Sequence, residues 1–102
     1  MSSYFLIVDL EATCSDDGTS PSQEMEIIEI GAVMLNRSTW EIDSEYQQFV
    51  KPVRNPILTK FCTELTTITQ NDVNNTLTFP EVMSKFKKWI DLYPNFPKNK
   101  IY

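Results

Sequence analysis

The fold is decided by two stretches, Y-F-L-I-V-D-L-E-A-T-C at residues 4–14 and E-I-I-E-I-G-A-V-M-L at residues 26–35. The first begins with an apolar run of strand formers, Tyr4 to Val8, that stops abruptly at Asp9. This pattern predicts a buried β-strand that delivers a polar residue at its end. The second stretch predicts another buried strand. Residues 15–23 are Ser, Asp, Gly, Thr, Pro and Gln, which is typical of a loop between the two strands.

A third strand is predicted downstream of these two. Asn36 to Thr39 is typical of a turn, and Trp40 to Val50 has the composition of a strand. The order strand, loop, strand, turn, strand predicts a three-stranded antiparallel meander. Pro52 and Pro56 then interrupt any regular ladder and indicate a connecting segment.

Three helices are predicted to follow the meander. A short one covers Leu58 to Glu64, and a second begins at Thr69 as N-cap, with Asp72 three residues later. The third is opened by a capping box of Thr78 and Glu81. Apolar residues at helical spacing predict that this helix packs on the sheet. They are Phe79, Val82, Met83, Phe86, Trp89 and Ile90.

Composition limits the class of protein. The chain has 102 residues, 41% of them hydrophobic and 23% charged, which is typical of one globular domain. Its net charge of −5 provides no basic field for a polyanion, which argues against a simple DNA- or RNA-binding module. A metal-dependent nuclease remains compatible with this charge, because acidic residues hold the cations that meet the phosphate.

Cellular location is predicted from the N-terminus and the cysteines. No basic segment precedes the apolar run, and Tyr4 to Val8 is too short for a signal peptide or a membrane span. We therefore expect a cytoplasmic protein with no membrane partner. Cys14 and Cys62 are the only cysteines and the chain has no histidine, so we expect two reduced thiols and no zinc site.

Asp9 and Glu11 are the candidate metal ligands. They are two residues apart on a strand, so their side chains point to the same face. Paired carboxylates suit Mg²⁺ or Mn²⁺, which prefer oxygen ligands. Two such ions about 3.5–4 Å apart can activate a water and stabilise a leaving oxygen in phosphodiester cleavage. The alternative is a pair of solvated acids, because D-x-E after an apolar run is a weak pattern.

Four segments in a fixed order resemble a known family. They are I-V-D-L-E-A-T-C, E-I-I-E-I-G-A-V, Q-Q-F-V-K-P at residues 47–52 and F-C-T-E-L-T-T-I-T at residues 61–69. Together, from about Phe5 to Ile90, they resemble the DEDDh 3′→5′ exonucleases, the family of RNase T and of the proofreading subunit of bacterial DNA polymerase III. The histone-mRNA 3′ exonuclease branch is the most similar. The resemblance implies an α/β, ribonuclease H-like exonuclease fold, of which residues 1–93 form the N-terminal part and residues 94–102 an irregular tail.

The resemblance also implies roles for individual residues. Carried over position by position, it makes Asp9 and Glu11 the ligands of a two-metal site for Mg²⁺ or Mn²⁺, and it implies no other small-molecule cofactor. The expected partner is a single-stranded RNA or DNA 3′ end. Four residues would contact that end: Ala12 and Thr13 through their backbone, and Leu65 and Thr66 as the lining of the pocket for the last base.

Thr67 and Glu29 differ in kind from these residues. The relatives have glycine where this chain has Thr67, and glycine permits backbone angles that a β-branched residue resists. Glu29 lies inside an apolar run, where an unpaired carboxylate is costly. We expect Glu29 to be structural, with its carboxylate bonded to the loop after the first strand.

Part of the implied active site is absent from this sequence. Such an enzyme uses four acidic ligands and a histidine as general base, whereas this chain has the first two acids and no histidine. Asp72 and Asp91 belong to predicted helix ends, so neither is expected to substitute. We therefore expect a truncated exonuclease domain that is inactive by itself. The alternative is a non-catalytic, exonuclease-like protein that binds metal or nucleic acid weakly.

A phosphatase of the haloacid-dehalogenase type is a less suitable interpretation. Its D-x-D-x-T signature also follows an apolar strand, and this chain has D-L-E-A-T at residues 9–13. That chemistry requires aspartate at the second acidic position, where Glu11 reaches further, and its first strand leads to a helix rather than to a second strand.

Overall fold

A computed structural model describes residues 3–16 and 25–93 of the chain. Its elements are three strands followed by three helices. They are β1 (Tyr4–Ala12), β2 (Ile27–Asn36), β3 (Ile42–Phe49), α1 (Lys60–Thr66), α2 (Gln70–Asn74) and α3 (Phe79–Ile90). The strands form one sheet in the order β1-β2-β3, with both pairs antiparallel. The predicted meander and the helices after it are therefore confirmed. The predicted tail at residues 94–102 lies outside the described residues.

Strand β1 differs from its prediction in two respects. It continues past Asp9 to Ala12, because β2 supplies a pairing partner for every residue of this extension. The carboxylates of Asp9 and Glu11 thus lie within the strand rather than after it. The strand is also not buried: Ile7 is 50% exposed, since in the described part of the chain β1 pairs with β2 on one side only.

The main core lies between β2 and α3. Alternate residues of β2 point to the helix, and Ile30, Ala32 and Met34 are buried there. Helix α3 contributes three buried side chains: Val82, Phe86 and Ile90. Burying each side chain of this size contributes roughly 1.5–3 kcal/mol. Of the apolar residues predicted to pack on the sheet, Trp89 also contacts this core. Phe79 and Met83 are instead exposed near the N-terminal end of the helix. We call the side of the sheet covered by α3 the helix face.

A second core joins α1 and α2 to one end of the sheet. Its buried members are Ile28, Cys62, Ile68 and Val73. Ile28 continues the alternation of buried residues along β2, so the same side of this strand contributes to both cores. Next to it, the pairing register of β1 and β2 shifts between Glu11 and Ala12, as at a β-bulge. Bulges re-aim side chains and are frequent beside active sites.

Side-chain caps fix where the short helices begin. The Thr59 hydroxyl accepts a hydrogen bond from the Cys62 N–H at 3.0 Å at the start of α1. At α2 the predicted pairing is confirmed, since Thr69 and Asp72 cap each other. Such caps are worth about 1 kcal/mol each, which matters for helices of one to two turns. None of the helices described here is long and apolar enough to cross a membrane.

Candidate active site

Asp9 and Glu11 lie on the side of the sheet opposite α3, which we call the open face. Asp9 is exposed and lies across from Gly31 of β2, whereas Glu11 is half-buried and lies across from Glu29. Because Gly31 has no side chain, the space beside Asp9 stays open. The predicted convergence of two carboxylates on one face is therefore present in the structure.

Glu29 also points to the open face, but its predicted partner was wrong. Its carboxylate accepts a hydrogen bond from the Gln47 side-chain amide at 2.7 Å, not from the loop after β1. The reason is the register, which places Gln47 opposite Gly31 and thus diagonal to Glu29. The ion pair between Lys60 and Glu64 does not involve Asp9, Glu11 or Glu29.

The carboxylates do not form a complete metal site by themselves. Among the described residues, no group of three or more His, Cys, Asp or Glu side chains is arranged to hold a metal ion. Asp72, considered from sequence as a substitute, caps α2 by accepting from the Thr69 N–H at 2.9 Å. Asp91 ends α3, which packs on the helix face. Neither joins the site.

Thr13 fixes the chain where it leaves β1. Its N–H donates to the Glu26 carbonyl at 2.8 Å, and its buried hydroxyl accepts from the Glu26 N–H at 2.9 Å. The carbonyl of Ala12 accepts a long contact from the Cys62 thiol at 3.7 Å. The Thr13 N–H therefore already has a hydrogen-bond acceptor within the protein. Direct backbone contact of Ala12 and Thr13 with a nucleotide stays a prediction.

The carboxylate of Glu26 organises the loop after β3, a role that the sequence analysis missed. It accepts from the backbone N–H groups of Val53, Arg54 and Asn55 at 2.6–2.8 Å and from the Asn55 side chain at 3.2 Å. Burial opposes ionisation, but these bonds outweigh it and hold the pKa of Glu26 below its usual value. No sequence signal pairs an acid with a loop 27 residues later.

Helix α1 carries the predicted base-pocket residues to the same end of the sheet as Glu11. The contact between Cys62 and Ala12 holds α1 against the end of β1. Leu65 is 66% exposed and available to a ligand. The Thr66 hydroxyl, in contrast, donates to the Cys62 carbonyl at 2.8 Å and accepts from the Ile68 N–H at 3.2 Å. The pocket roles of Leu65 and Thr66 stay predictions.

Thr67, where the relatives have glycine, adopts backbone angles that glycine permits more readily. It ends α1 with φ 66° and ψ 4°, in the left-handed region. Its N–H donates to the Thr63 carbonyl at 2.8 Å, which closes the last turn of the helix. Such angles are unusual for a β-branched residue, so this conformation carries a cost in strain.

Two free thiols lie near the end of β1. Cys14 and Cys62 are packed in the second core, and neither forms a disulfide. Burial raises the pKa of the Cys14 thiol to about 11, with further contributions from its hydrogen bond with Cys62, from the charge of Cys62 and from that of Glu11. A thiol of this kind is a poor nucleophile at neutral pH.

Comparisons with known proteins agree with this geometry. A family model for RNase_T exonucleases matches residues 6–96. Human ERI1 exoribonuclease 2 is 46% identical over 87 residues, and human 3′-5′ exoribonuclease 1 is 45% identical over 89 residues. These alignments cover 85% and 87% of this chain but 12% and 25% of the relatives, so the chain spans a quarter or less of their length.

Solved structures show the same fold. The nuclease domain of 3′hExo, a DEDDh family member bound to rAMP, superimposes with a TM-score of 0.85 at 41% identity. The superposition covers 94% of this chain and 48% of the 3′hExo nuclease domain. Cell-death related nuclease 4 gives a TM-score of 0.79 at 29% identity, with 88% of this chain and 30% of that chain covered. The chain thus belongs to the RNase_T exonuclease family and has the N-terminal part of its ribonuclease H-like fold.

Proposed function

We propose that this chain is the metal-binding N-terminal part of a 3′→5′ exonuclease that removes nucleotides from single-stranded RNA 3′ ends. The observation that supports this most strongly is the pairing of Asp9 and Glu11 on the open face of β1 in a member of this family. RNA is favoured over DNA because the similar proteins are exoribonucleases and one solved relative recognises a histone mRNA stem-loop.

The residues present fit a divalent cation. Asp9 and Glu11 offer carboxylate oxygens, Gly31 leaves space beside Asp9, and no lysine or arginine among the described residues pairs with either acid. These are the properties of a site for Mg²⁺ or Mn²⁺. When bound, such an ion supplies Lewis acidity and lowers the pKa of water. Asp9 and Glu11 would hold the ion, and Leu65 would contact the terminal base.

Turnover by these 102 residues is expected to be absent or very low. They contain no histidine to act as general base, and their described part brings only two of the expected acidic ligands together. A second candidate function follows from the same observation. The chain would then be a non-catalytic module that binds a metal ion or a nucleic-acid end weakly.

Calorimetric titration with MnCl₂ tests the metal site. The wild-type chain should take up Mn²⁺, and Asp9→Asn and Glu11→Gln should each weaken binding at least about tenfold, since each removes one charged ligand. Glu41→Gln is the matched control, because Glu41 is an exposed acid of the β2–β3 turn, away from the open-face pair. Equal Mn²⁺ binding by all four proteins would overturn the assignment.

Digestion of 5′-labelled oligonucleotides distinguishes the two candidate functions. Mg²⁺-dependent shortening of an RNA oligomer from its 3′ end, lost in Asp9→Asn, would establish the nuclease. Metal binding without shortening is expected of these 102 residues under both candidate functions, because they contain no histidine, so only a positive result separates the two. A matched DNA oligomer in the same assay reports the preference between ribose and deoxyribose.

A further inference from the structure

Cys14 and Cys62, which we call the thiol pair, meet where α1 packs against the end of β1. Cys62 is fully buried in the second core, and Cys14 is half-buried beside it. The two side chains share a hydrogen bond. They are far apart in sequence, so the fold is what brings the two sulfur atoms together.

One hydroxyl group fixes the backbones of both cysteines. Thr59, the N-cap of α1, donates its hydroxyl proton to the Cys14 carbonyl at 2.6 Å and accepts from the Cys62 N–H at 3.0 Å. The Cys62 thiol in turn lies 3.7 Å from the carbonyl of Ala12, the last residue of β1. The positions of both cysteines are therefore set by contacts inside this chain and do not depend on any free surface.

The thiol pair has the arrangement that disulfide formation requires. A disulfide places the two Cβ atoms about 3.5–4.5 Å apart, a separation that neighbouring, hydrogen-bonded thiols reach by rotation of their side chains. Metal binding is a less suitable role for the pair. Among residues 3–16 and 25–93, no three His, Cys, Asp or Glu side chains are arranged to hold an ion.

We propose that Cys14 and Cys62 form a reversible disulfide that locks α1 to the end of β1 under oxidising conditions. The reduced thiol pair is then one of two states of a redox-sensitive lock. Helix α1 carries Leu65 and Thr66, and β1 carries Glu11, so the bond joins the predicted base pocket to the strand of the predicted metal site. This consequence rests on the proposed function, whereas formation of the bond does not.

The oxidant is a low-molecular-weight disulfide, for which glutathione disulfide is the probe. The Cys14 thiolate attacks one sulfur of the probe, breaks its S–S bond and releases one glutathione, which takes up the proton that Cys14 has lost. The Cys62 thiolate then attacks the Cys14 sulfur and releases the second glutathione, which takes up the proton of Cys62. Two protein thiols are thus oxidised, and one glutathione disulfide is reduced to two thiols.

The rate of this exchange and its equilibrium have different causes. The raised pKa of the Cys14 thiol and the burial of Cys62 make the exchange slow at neutral pH. The equilibrium depends instead on how closely the fold holds the two sulfurs, which the contacts of Thr59 favour. We therefore expect the disulfide to form within hours and to persist until a dithiol reduces it.

Equilibration of the full chain with mixtures of reduced and oxidised glutathione tests the proposal. Each mixture is approached from the reduced folded chain and by refolding from urea, then quenched with acid and analysed by mass spectrometry. The folded chain should lose the mass of two hydrogen atoms, carry no glutathione and yield one peptide that joins Cys14 to Cys62. In urea the ratio of disulfide to dithiol should be at least about tenfold lower, because the unfolded chain no longer holds the sulfurs together.

Stability provides a second readout of the same coupling. A disulfide that the folded state favours must in turn favour the folded state, so the oxidised chain should unfold at a higher urea concentration than the reduced chain. Dithiothreitol should return the midpoint to that of the reduced chain.

Two variants identify the steps and separate the proposals. Cys62→Ser should retain one glutathione on Cys14, because no second thiol releases it. Asp9→Asn should form the disulfide at the same ratio as wild type, so a failure of the metal site is distinguishable from a failure of the redox lock.

Two results would overturn the proposal. One is the absence of the internal disulfide from the folded wild-type chain, whether its thiols stay free or carry glutathione. The other is an equal ratio of disulfide to dithiol in the folded and the urea-unfolded chain, which would show that the fold does not favour the bond.

Discussion

Glu11 of β1 and Glu29 of β2 are direct cross-strand partners on the open face of the sheet. Like charges placed directly opposite each other destabilise a strand pair, and Glu29 is bonded to neutral Gln47 rather than to a cation. The sheet thus keeps an unfavourable pair at the position where a divalent cation is proposed to bind.

This pair predicts that Glu11→Gln stabilises the metal-free chain. Removing one of two opposed charges should raise the free energy of unfolding by about 0.2–1 kcal/mol, while the gain in stability on adding Mn²⁺ becomes smaller. Urea unfolding with EDTA and with MnCl₂ measures both effects. Glu45→Gln, at an exposed position opposite Val33, is the control and should change stability by less than about 0.5 kcal/mol. A less stable metal-free Glu11→Gln chain would contradict the prediction.

Thr67→Gly is expected to stabilise the protein. Glycine adopts the φ of 66° without strain, so the free energy of unfolding should rise by about 1 kcal/mol. Thr63→Gly places the same substitution in the right-handed interior of α1 and should destabilise instead. Thermal and urea unfolding distinguish the two variants, and a destabilised Thr67→Gly would show that its side chain outweighs the backbone strain.

Glu26→Gln should destabilise the chain and remove an acid-sensitive component of its stability. The variant loses charge-assisted bonds to residues 53–55, at a cost of about 1–3 kcal/mol. Because the pKa of Glu26 is lowered in the folded protein, its contribution is present above the unfolded value of about 4.5 and disappears as the pH falls through the folded value.

Unfolding free energies between pH 3 and pH 7 test this expectation. The stability difference between wild type and Glu26→Gln should be largest at neutral pH and should shrink in acid. Glu41→Gln serves as the exposed control and should give a profile parallel to that of wild type. A pH-independent difference between wild type and Glu26→Gln would mean that the charge of Glu26 does not matter.

Cys14 should react slowly with alkylating reagents in the folded protein. A pKa of about 11 against the ordinary 9.0 leaves about a hundredfold less thiolate at neutral pH, partly offset by the greater nucleophilicity of a more basic thiolate. We expect alkylation by iodoacetamide about tenfold slower than in the urea-unfolded chain, followed by mass spectrometry. Equal rates in both states would contradict the raised pKa.

The same raised pKa has a consequence for stability at high pH. The folded chain holds the Cys14 proton more tightly than the unfolded chain, so the contribution is complete below pH 9 and is lost as the pH rises towards about 11. Cys14→Ser lacks this transition and is the comparison for unfolding curves at pH 8 and pH 10.5.

Sequence reasoning found the elements whose signals are local. The capping pair Thr69–Asp72 and the buried residues of α3 follow from short-range spacing, and both are present. The carboxylate pair followed from strand alternation. The features that sequence reasoning missed depend on partners distant in sequence. Strand β1 continues to Ala12 because β2 pairs with it. The Glu26 carboxylate accepts hydrogen bonds from a loop 27–29 residues away. The left-handed conformation of Thr67 was not predicted, because a β-branched residue resists such angles.

The reciprocal bonds between Thr13 and Glu26 have an evolutionary consequence. They tie together the two ends of the segment that joins β1 to β2, independently of what lies between. Each doubling of such a segment adds only about 0.6 kcal/mol of closure entropy. Homologues should therefore tolerate large differences in length at this point while the spacing of the acidic pair stays constant, which makes the segment a natural place for lineage-specific insertions.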